Sequence, residues 1–562
     1  MRYGVTVSAE PESTRVSGLR LPEDGGVHKA GRVERWLETH LNLLAYGIVA
    51  VAFLLRADAA ARSFLNPDEA LHYIILNQRS VYWAYKISLT NAHPPLIYLL
   101  LYYWKFLGRS EMMLRFPSVL AGTAACWLAY KWIGTVFGKV AGLIGLLLFS
   151  FSPAMIALSA EVRSYALLLV FETGALYFAE AALREKSIPK MWRFSVLQYL
   201  AILSHYSAIF FSFAIAVYAI ARMLEDRNPR NLVFAWADGQ GGALAICGFL
   251  YVTHVSKLKS YVSAWESSFD KGLSHTGHEH LFTYTRDRTL DIFKFLFENR
   301  FVATAMFLLW VAAVVILLLG DWVTRRKYQR LFLIGILLSI PVLAVFGAGV
   351  AGYYPYVGSR HTAFLAPFVI AALSFVLAKV SRQKLSAAFV IAGLLAGAAN
   401  TSGQESYIAK ENQSRTLMKA ALDHIHETIP PGGLIMTDYQ SALLLVYYLC
   451  GPDLILPTGT FNLPASRVKC NGYTIASYQT WQMQAPLFLS DFAKIAKAQR
   501  LTPGVNIWVF QSGWEPTLAE ELPSASPRLR CVRPKTFGEN ISVIPLRVGS
   551  DFSAIAAVSE CP

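Results

Sequence analysis

An adjacent pair of acids, Asp68 and Glu69, follows the first apolar stretch of this chain and could carry out acid–base chemistry. Asn66 and Pro67 precede the pair, so the pattern also predicts a helix start, with Asn66 as the cap and Glu69 completing a capping box. A capped helix start is a rigid mount for a carboxylate. Asp68 could therefore accept a proton from an attacking hydroxyl if other segments supply its partners.

Five polar segments lie at ends of the predicted apolar spans, and the predicted topology brings them to one membrane surface. Charges at membrane depth are costly and are usually paired or functional. Arginine and histidine side chains beside a carboxylate suit a substrate with a phosphate at the lipid boundary. Besides Asp68 and Glu69, the candidate residues are His93, Glu161, Arg163, Tyr165, His205, Tyr206, Arg360 and His361.

Each candidate also has a simpler interpretation. Glu161 and Arg163 could pair at a helix end, although residues two apart do not face each other on a helix. Arg360 could extend its side chain to the interface, and His93 and His205 could serve as a cap and a turn residue. The convergence of all the candidates on one face favours chemistry.

The composition indicates a membrane protein that crosses the bilayer many times. Of 562 residues, 54% are hydrophobic and 16% are charged, whereas soluble domains average about 25% charged residues. The net charge of +14 does not indicate nucleic-acid binding, because Lys and Arg fall mainly in the N-terminal tail and in short loops, as the positive-inside rule describes.

The apolar run from His93 to Gly108 decides the topology. If this run crossed the membrane, every later basic loop would lie outside, against the positive-inside rule. We therefore expect an interfacial helix there. The predicted fold is a polytopic α-helical membrane protein with about 11 spans and interfacial helices in the first external loop. Its predicted domains are a cytoplasmic tail (1–40), a transmembrane domain (41–403) and an extracytoplasmic α/β domain (404–562).

The C-terminal region is less apolar than the rest. It has a helical pattern at 414–428 and strand patterns at 434–437, 506–510 and 541–545. Four cysteines lie there, and they could form two disulfides if the region is outside the cytoplasm. They are Cys450, Cys470, Cys531 and Cys561.

Several motifs, in this order, resemble a known family. They are Asn66-Pro67-Asp68-Glu69, Ala92-His93-Pro94-Pro95-Leu96, Gly108-Arg109-Ser110-Glu111 with Arg115-Phe116-Pro117-Ser118, and Ser152-Pro153 with Glu161-Val162-Arg163-Ser164-Tyr165. Over roughly residues 41–399 the chain resembles the polyprenyl-phosphate-sugar-dependent glycosyltransferases of the C-type membrane superfamily, near the protein O-mannosyltransferases and the aminoarabinose transferases of lipid A.

The resemblance implies transfer of a sugar, with inversion, from undecaprenyl or a similar polyprenyl phosphate to a lipid, glycan or protein acceptor. It implies that Asp68 is the base or the group that orients the acceptor, that Glu161 is a second acid, and that Arg360 contacts the lipid phosphate. His205 lies where relatives often have a Lys or His beside a Tyr. No cofactor is required by this resemblance, and no motif supports a divalent metal.

Two other classes of function stay open at this point. One is a transporter or flippase of lipid-linked substrates, although such proteins often show repeated halves and this chain does not. The other is a non-catalytic membrane protein that displays its C-terminal domain. We expect a plasma (inner) membrane protein whose active site faces outward.

Overall fold

The computed structural model describes residues 31–258, 280–324, 329–400, 414–456, 465–478, 483–498, 500–514, 516–549 and 555–558. Among these residues, eight helices are long and apolar enough to cross a membrane, or nine if a bent helix pair counts as one span. The chain is therefore a multi-pass membrane protein, as its composition predicts.

The membrane part is built from long helices with short connections. Its first half contains α1 (Arg32–Arg62), α2 (Pro67–Leu76), α3 (Val81–Ser88), α4 (Leu96–Trp104), α5 (Glu111–Phe137), α6 (Lys139–Phe151), α7 (Pro153–Ser159) and α8 (Tyr165–Glu185). Its second half contains α9 (Ile188–Ser204), α10 (Ala208–Glu225), α11 (Arg230–Leu250), α12 (Leu281–Phe297), α13 (Arg300–Thr324), α14 (Gln329–Val350), α15 (Ala366–Val380) and α16 (Leu385–Ala399).

Two of the predicted spans form helices that are too short to count as candidates by themselves. Helix α9 has 17 residues and α16 has 15 residues, and neither is among the eight candidates. Crossing a hydrocarbon core of about 30 Å takes roughly 20 helical residues. The predicted count of about 11 spans therefore stays a prediction.

The first connection, between α1 and α5, contains three short helices. Helix α4 forms within the run that decides the topology, and it has nine residues. At 1.5 Å per residue it is about 14 Å long, roughly half of a hydrocarbon core, so it cannot cross as a helix. Helix α4 also leaves large apolar side chains such as Tyr103 exposed, as expected at an interface.

Helix α1 begins at Arg32, before the predicted start of the span at Leu41. Its early start has a structural use, because Glu34 in its first turn caps α16. The Glu34 carboxylate accepts the backbone N–H of Ser386 at 3.1 Å, its hydroxyl at 2.7 Å, and the backbone N–H of Leu385. A carboxylate is favoured there because the first N–H groups of a helix have no partners inside it.

Helices α6 and α7 meet at a bend of 60°, and together they are long and apolar enough to cross a membrane. Ser152 and Pro153 lie at the break, and Pro153 has no N–H to continue the ladder of α6. The buried Arg56 of α1 donates to the carbonyls that the break leaves free, at 3.0 Å to Ser150 and 3.4 Å to Phe149. Arg56 can thus be accommodated inside the bundle because its guanidinium gives hydrogen bonds to carbonyls that have no helical N–H partner.

The C-terminal region folds around a seven-stranded mixed sheet in the order β2-β3-β1-β4-β6-β5, with β7 beside β6. Strands β3, β1 and β4 are parallel, and the other pairs are antiparallel. The strands are β1 (Leu434–Thr437), β2 (Ala465–Cys470), β3 (Tyr473–Tyr478), β4 (Asn506–Ser512), β5 (Lys535–Thr536), β6 (Ile541–Val548) and β7 (Ile555–Ala557). The helices are α17 (Arg415–Thr428), α18 (Tyr439–Tyr448), α19 (Ala485–Ala498) and α20 (Leu518–Ala525).

The predicted helix at 414–428 and the three predicted strands are all present, and the β2–β3 hairpin is an addition that we did not predict. Cys450 and Cys470 form a disulfide, and Cys531 is also disulfide-bonded. Cys126 and Cys247, in the membrane helices, are free thiols.

The C-terminal region packs directly on the first connection. Helix α18 lies against α2, and one apolar cluster contains Tyr73 and Leu76 of α2 together with Leu443 of α18 and Trp508 of β4. This shared core joins the sheet region to the helix that carries Asp68.

Candidate active site

Asp68 lies in the first turn of α2, and the start of that helix is capped as the sequence predicts. The Asn66 side chain accepts the N–H of Glu69 at 2.9 Å, and the Glu69 carboxylate accepts the N–H of Asn66 at 2.9 Å. Pro67 takes the first helical position. The reciprocal bonds fix the direction in which the Asp68 side chain leaves the helix.

Two arginines from distant parts of the chain meet Asp68. Arg163, between α7 and α8, and Arg360, at the start of a short 3₁₀ helix before α15, both contact the same carboxylate oxygen, Oδ2. The distance from Arg360 is 2.9 Å. The Asp68 and Arg163 side chains are 9% and 4% exposed, whereas that of Arg360 is 24% exposed. The predicted meeting of these three residues is therefore observed.

Glu69 has a different environment from its neighbour. Arg115 of α5 donates to both of its oxygens, at 2.8 and 2.6 Å, and Val162 donates its backbone N–H at 2.8 Å. With the bond from Asn66, each oxygen accepts two donors from the protein. Both side chains of the ion pair are buried, at 1% and 0% exposure. Glu69 therefore links α2, α5 and the segment that carries Arg163.

Arg115 also holds the turn that precedes α2. Its guanidinium donates to the carbonyls of Ala60 and Ser63 at 2.8 Å and to that of Phe64 at 2.9 Å. Arg115 is thus the buried centre of a network that orients the helix bearing Asp68. Sequence reasoning placed Arg115 in a motif but gave it no part in the site.

Histidine rings surround the carboxylate. The centroid of the His93 ring lies 5.8 Å from that of His72 and 5.4 Å from that of His205, and Arg163 approaches the Nε2 of His93 at 3.4 Å. His361 and His205 both lie against the ring of Tyr165, with centroids 6.3 and 5.1 Å away. We call the set Asp68, His72, His93, Glu161, Arg163, Tyr165, His205, Arg360 and His361 the Asp68 cluster.

His72, His93 and His205 are held neutral by burial. Burial lowers the pKa of His72 to about 3, against the opposing charge of Glu69 and with a smaller contribution from the charge of Arg360. Burial and then Arg163 lower the pKa of His205 to about 3, and burial with the neighbouring histidines lowers the pKa of His93 well below its usual range. At neutral pH these rings are therefore hydrogen-bonding groups and not cations.

His72 was not predicted, although its position is readable from the sequence. It lies one helical turn after Asp68, so both face the same side of α2. Its Nδ1 lies 2.7 Å from the carbonyl of Asp68, and its Nε2 lies 3.2 Å from the hydroxyl of Tyr98 on α4. Sequence reasoning passed over it because no motif drew attention to a lone histidine inside an apolar helix.

Glu161 and Tyr206 occupy different places relative to the cluster. Glu161 is buried at 3% exposure, and its backbone carbonyl accepts the N–H of Arg163 at 2.9 Å. The Tyr206 hydroxyl, in contrast, bonds to His254, whose other ring nitrogen lies 2.7 Å from the carbonyl of Asn91. Tyr206 therefore supports the segment just before His93 through His254.

Among the described residues, no group of three or more His, Cys, Asp or Glu side chains could hold a metal ion. The cluster contains many histidines, but its charged centre is one carboxylate between two guanidiniums, which is an environment for an anion. The chemistry that these residues can perform is anion binding and proton transfer.

Comparison with known proteins gives a match to a family model and matches to solved structures. Residues 92–251 match the family model described as dolichyl-phosphate-mannose-protein mannosyltransferase. A comparison with curated protein sequences found no match.

The structure is similar to that of ArnT from Cupriavidus metallidurans. The crystal structure of ArnT bound to undecaprenyl phosphate aligns with a TM-score of 0.52 and 14% identity, over 90% of this chain and 98% of that one. Its apo state aligns with a TM-score of 0.51 and 14% identity, over 93% and 100% of the two chains. The chain therefore has a fold like that of ArnT, and residues 92–251, which include part of the motifs quoted above, match the mannosyltransferase family model.

Proposed function

We propose that this protein transfers a sugar from a polyprenyl-phosphate-linked donor to an acceptor hydroxyl, with inversion, on the extracytoplasmic side of the plasma (inner) membrane. The observation that carries the proposal is the contact of Arg163 and Arg360 with one oxygen of Asp68. That centre combines a proton acceptor with two cations suited to a lipid phosphate.

In the proposed reaction, the phosphate of the donor takes the two guanidiniums from Asp68. The carboxylate, without its counter-ions, then accepts the proton of the acceptor hydroxyl. The hydroxyl oxygen bonds to the anomeric carbon as the bond from that carbon to the phosphate oxygen breaks. Polyprenyl phosphate leaves with the bonding electrons, and its additional negative charge is stabilised by Arg163 and Arg360. A single displacement inverts the anomeric centre.

The remaining candidates have supporting roles in this proposal. Neutral His93 and His205 bind sugar or phosphate oxygens through hydrogen bonds, since burial removes their charge. Glu161 and Tyr165 form the wall of the site beside Arg163. Glu69, whose oxygens each have two donors within the protein, keeps Asp68 in place and does not itself react.

Three observations support the outward orientation. The Cys450–Cys470 disulfide is typical of an oxidising compartment. The region that contains it packs on α2, so Asp68 shares its side of the membrane. Helix α8 begins at the cluster with Tyr165 and ends among basic residues near Arg184, which fits a cytoplasmic end.

The donor is proposed from the likeness to ArnT, whose crystal structure holds undecaprenyl phosphate. Dolichyl phosphate mannose, named in the description of the matched family, is a second donor of the same chemical kind. Both present a sugar on a phosphate that is anchored in the membrane by an isoprenoid chain. The cluster suits that shared chemistry, with the cations beside the phosphate and the carboxylate beside the attacking hydroxyl.

The test measures polyprenyl phosphate released from a panel of labelled polyprenyl-phosphate sugars by the purified full chain. Because general base catalysis contributes about 10²- to 10⁴-fold, we expect Asp68→Asn to reduce release by at least about 100-fold. The matched control is Asp58→Asn, since Asp58 is an exposed acid whose ion pair with Arg62 lies on the surface at the end of α1.

Turnover by Asp68→Asn within a few-fold of the unmodified protein would remove Asp68 as the base. Retention of the donor's anomeric configuration in the product would contradict the single displacement. Movement of intact donor across a vesicle membrane without release of polyprenyl phosphate would favour the flippase instead.

A further inference from the structure

The turn that precedes the capped start of α2 is held from two sides. We call residues 63–66 the Asp68 turn. From the membrane domain, Arg115 binds the carbonyls of Ser63 and Phe64. From the C-terminal region, the hydroxyl of Tyr448 accepts the backbone N–H of Leu65 at 2.8 Å. Leu65 lies three residues before Asp68, so a contact on its amide acts directly on the approach to the helix start.

Tyr448 is itself fixed by a buried acid. Its hydroxyl donates to Glu111, the first residue of α5, and Glu111 is also paired with Arg415 of α17 at 2.5 Å. Glu111 is 4% exposed. Burial, and then the charge of Glu111, raise the pKa of Tyr448 well above its usual range. The phenol therefore stays protonated and keeps both its bonds, one as donor and one as acceptor.

The packing around Tyr448 excludes free movement of its ring. It lies edge-on to Phe64 with centroids 6.5 Å apart and edge-on to Tyr447 at 4.8 Å. Tyr447 in turn contacts Tyr73 of α2 at 4.8 Å. An isolated antiparallel β-bridge pairs Ser63 of this turn with Ser414, the residue before α17.

From these contacts we propose that Tyr448, in the C-terminal region, is a positioning residue for Asp68. The region is then a working part of the active site and not a module that the membrane domain merely displays. This inference rests on the proposed function for its consequence on turnover, whereas the contact itself is independent of the reaction. Loss of the hydroxyl would leave the Leu65 amide without its acceptor, and the Asp68 turn would loosen.

The chain offers a matched control in the adjacent residue. The Tyr447 hydroxyl donates to the carbonyl of Arg109 at 3.0 Å and does not contact the Asp68 turn. Tyr448→Phe and Tyr447→Phe each remove one hydroxyl from the end of α18 and keep the ring. A general weakening of the junction would affect both variants alike, whereas positioning would affect only Tyr448→Phe.

The experiment uses the purified full chain and two readouts. The first is transfer from a polyprenyl-phosphate sugar: we expect Tyr448→Phe to lower kcat about tenfold, the factor for one lost hydrogen bond to a buried group, with KM for the donor nearly unchanged. The second is amide hydrogen exchange by mass spectrometry, in which a peptide covering residues 63–68 should exchange faster in Tyr448→Phe only.

Two further variants test Glu111, the acid that accepts the Tyr448 hydroxyl. Glu111→Gln retains an oxygen that accepts the Tyr448 hydroxyl, so we expect it to keep kcat within about threefold of the unmodified protein. Glu111→Ala removes that acceptor and should resemble Tyr448→Phe. A loss in Glu111→Gln equal to that in Glu111→Ala would assign the effect to charge and would contradict positioning through the phenol.

Equal exchange and equal kcat in Tyr448→Phe and Tyr447→Phe would overturn the proposal. Faster exchange in Tyr448→Phe with an unchanged kcat would also overturn it, because the turn would then move without consequence for Asp68. If the unmodified chain transfers no sugar from any donor, the proposed function fails, and the exchange readout alone decides whether Tyr448 holds the turn.

Discussion

Asp68 and Glu69 are consecutive acids with opposite surroundings. Glu69 is closed off by donors from Arg115 and from backbone amides, and none of them is free to leave. Asp68 has two arginine side chains on one oxygen, and one of them, Arg360, is partly exposed. An acid whose two oxygens each accept two protein donors holds structure, whereas we propose that Asp68, with a partly exposed arginine, can exchange its cations for a substrate. Adjacent positions in a helix can thus separate structure from chemistry.

The largest effect that we predict is a loss of stability on substitution of Glu69, the acid that we assign a structural role. Glu69→Gln leaves the Arg115 charge buried without its counter-ion, which should cost about 3–5 kcal/mol of stability. Thermal unfolding in detergent measures the loss. The surface control Asp58→Asn should change stability by under about 1 kcal/mol, because its pair with Arg62 is exposed.

Asp68→Asn should lose transfer and should lose less stability than Glu69→Gln, because Asp68 pairs through one oxygen and one of its two arginines, Arg360, is partly exposed. A Glu69→Gln protein as stable as Asp68→Asn would abolish the distinction between the two acids.

A smaller effect is expected at Arg360, the partly exposed partner of Asp68. Arg360→Gln removes the charge-assisted contact that we propose with the lipid phosphate, and such contacts are worth roughly 1.5–3 kcal/mol. We therefore expect kcat/KM to fall by about 10- to 150-fold with little change in unfolding temperature. The control is Arg286→Gln, because Arg286 forms an exposed pair with its neighbour Asp287. A large fall in the unfolding temperature of Arg360→Gln would instead make Arg360 structural.

The smallest effect concerns pH. The pKa of His205 is about 3 in the folded protein and about 6.5 when unfolded, so the unfolded chain binds more protons between these values. Stability should therefore fall as pH drops below about 6.5, by up to about 1.4 kcal/mol per pH unit for this residue. The unfolding temperature measured from pH 7.5 to 5 should fall less steeply in His205→Gln. Parallel slopes would contradict a buried neutral ring.

Local features of the site were readable from the sequence because they depend on neighbours. The cap of α2 follows from Asn66, Pro67 and Glu69. The charge balance between loops predicts that the next apolar run does not cross the membrane, and its helix α4 has only nine residues. The sequence predicted that Asp68, Arg163 and Arg360 lie at the same membrane surface. Their contact with a single oxygen depends on the packing of three separate segments, which no local pattern encodes.

Other features needed the tertiary structure or were missed. The partner of Glu69, Arg115, lies 46 positions along the chain, so nothing local marks the acid as saturated. The direction of Tyr206 towards His254 depends on helix packing. The β2–β3 hairpin, however, is indicated in the sequence by Asn471-Gly472, a pair typical of two-residue hairpin turns. In the structure both residues have positive φ angles, of 46° and 82°. That signal was available and was overlooked.

The break between α6 and α7 sets how far α7 advances along the direction of α6. Helix α7 has seven residues, about 10 Å of helix, and a 60° bend lets it advance only about half of that along the direction of α6. The end of α7, and with it the start of the segment that carries Arg163, therefore lies about 5 Å short of where a straight helix would place it. Arg56 stabilises this shortened path by donating to the carbonyls of Ser150 and Phe149 at the break.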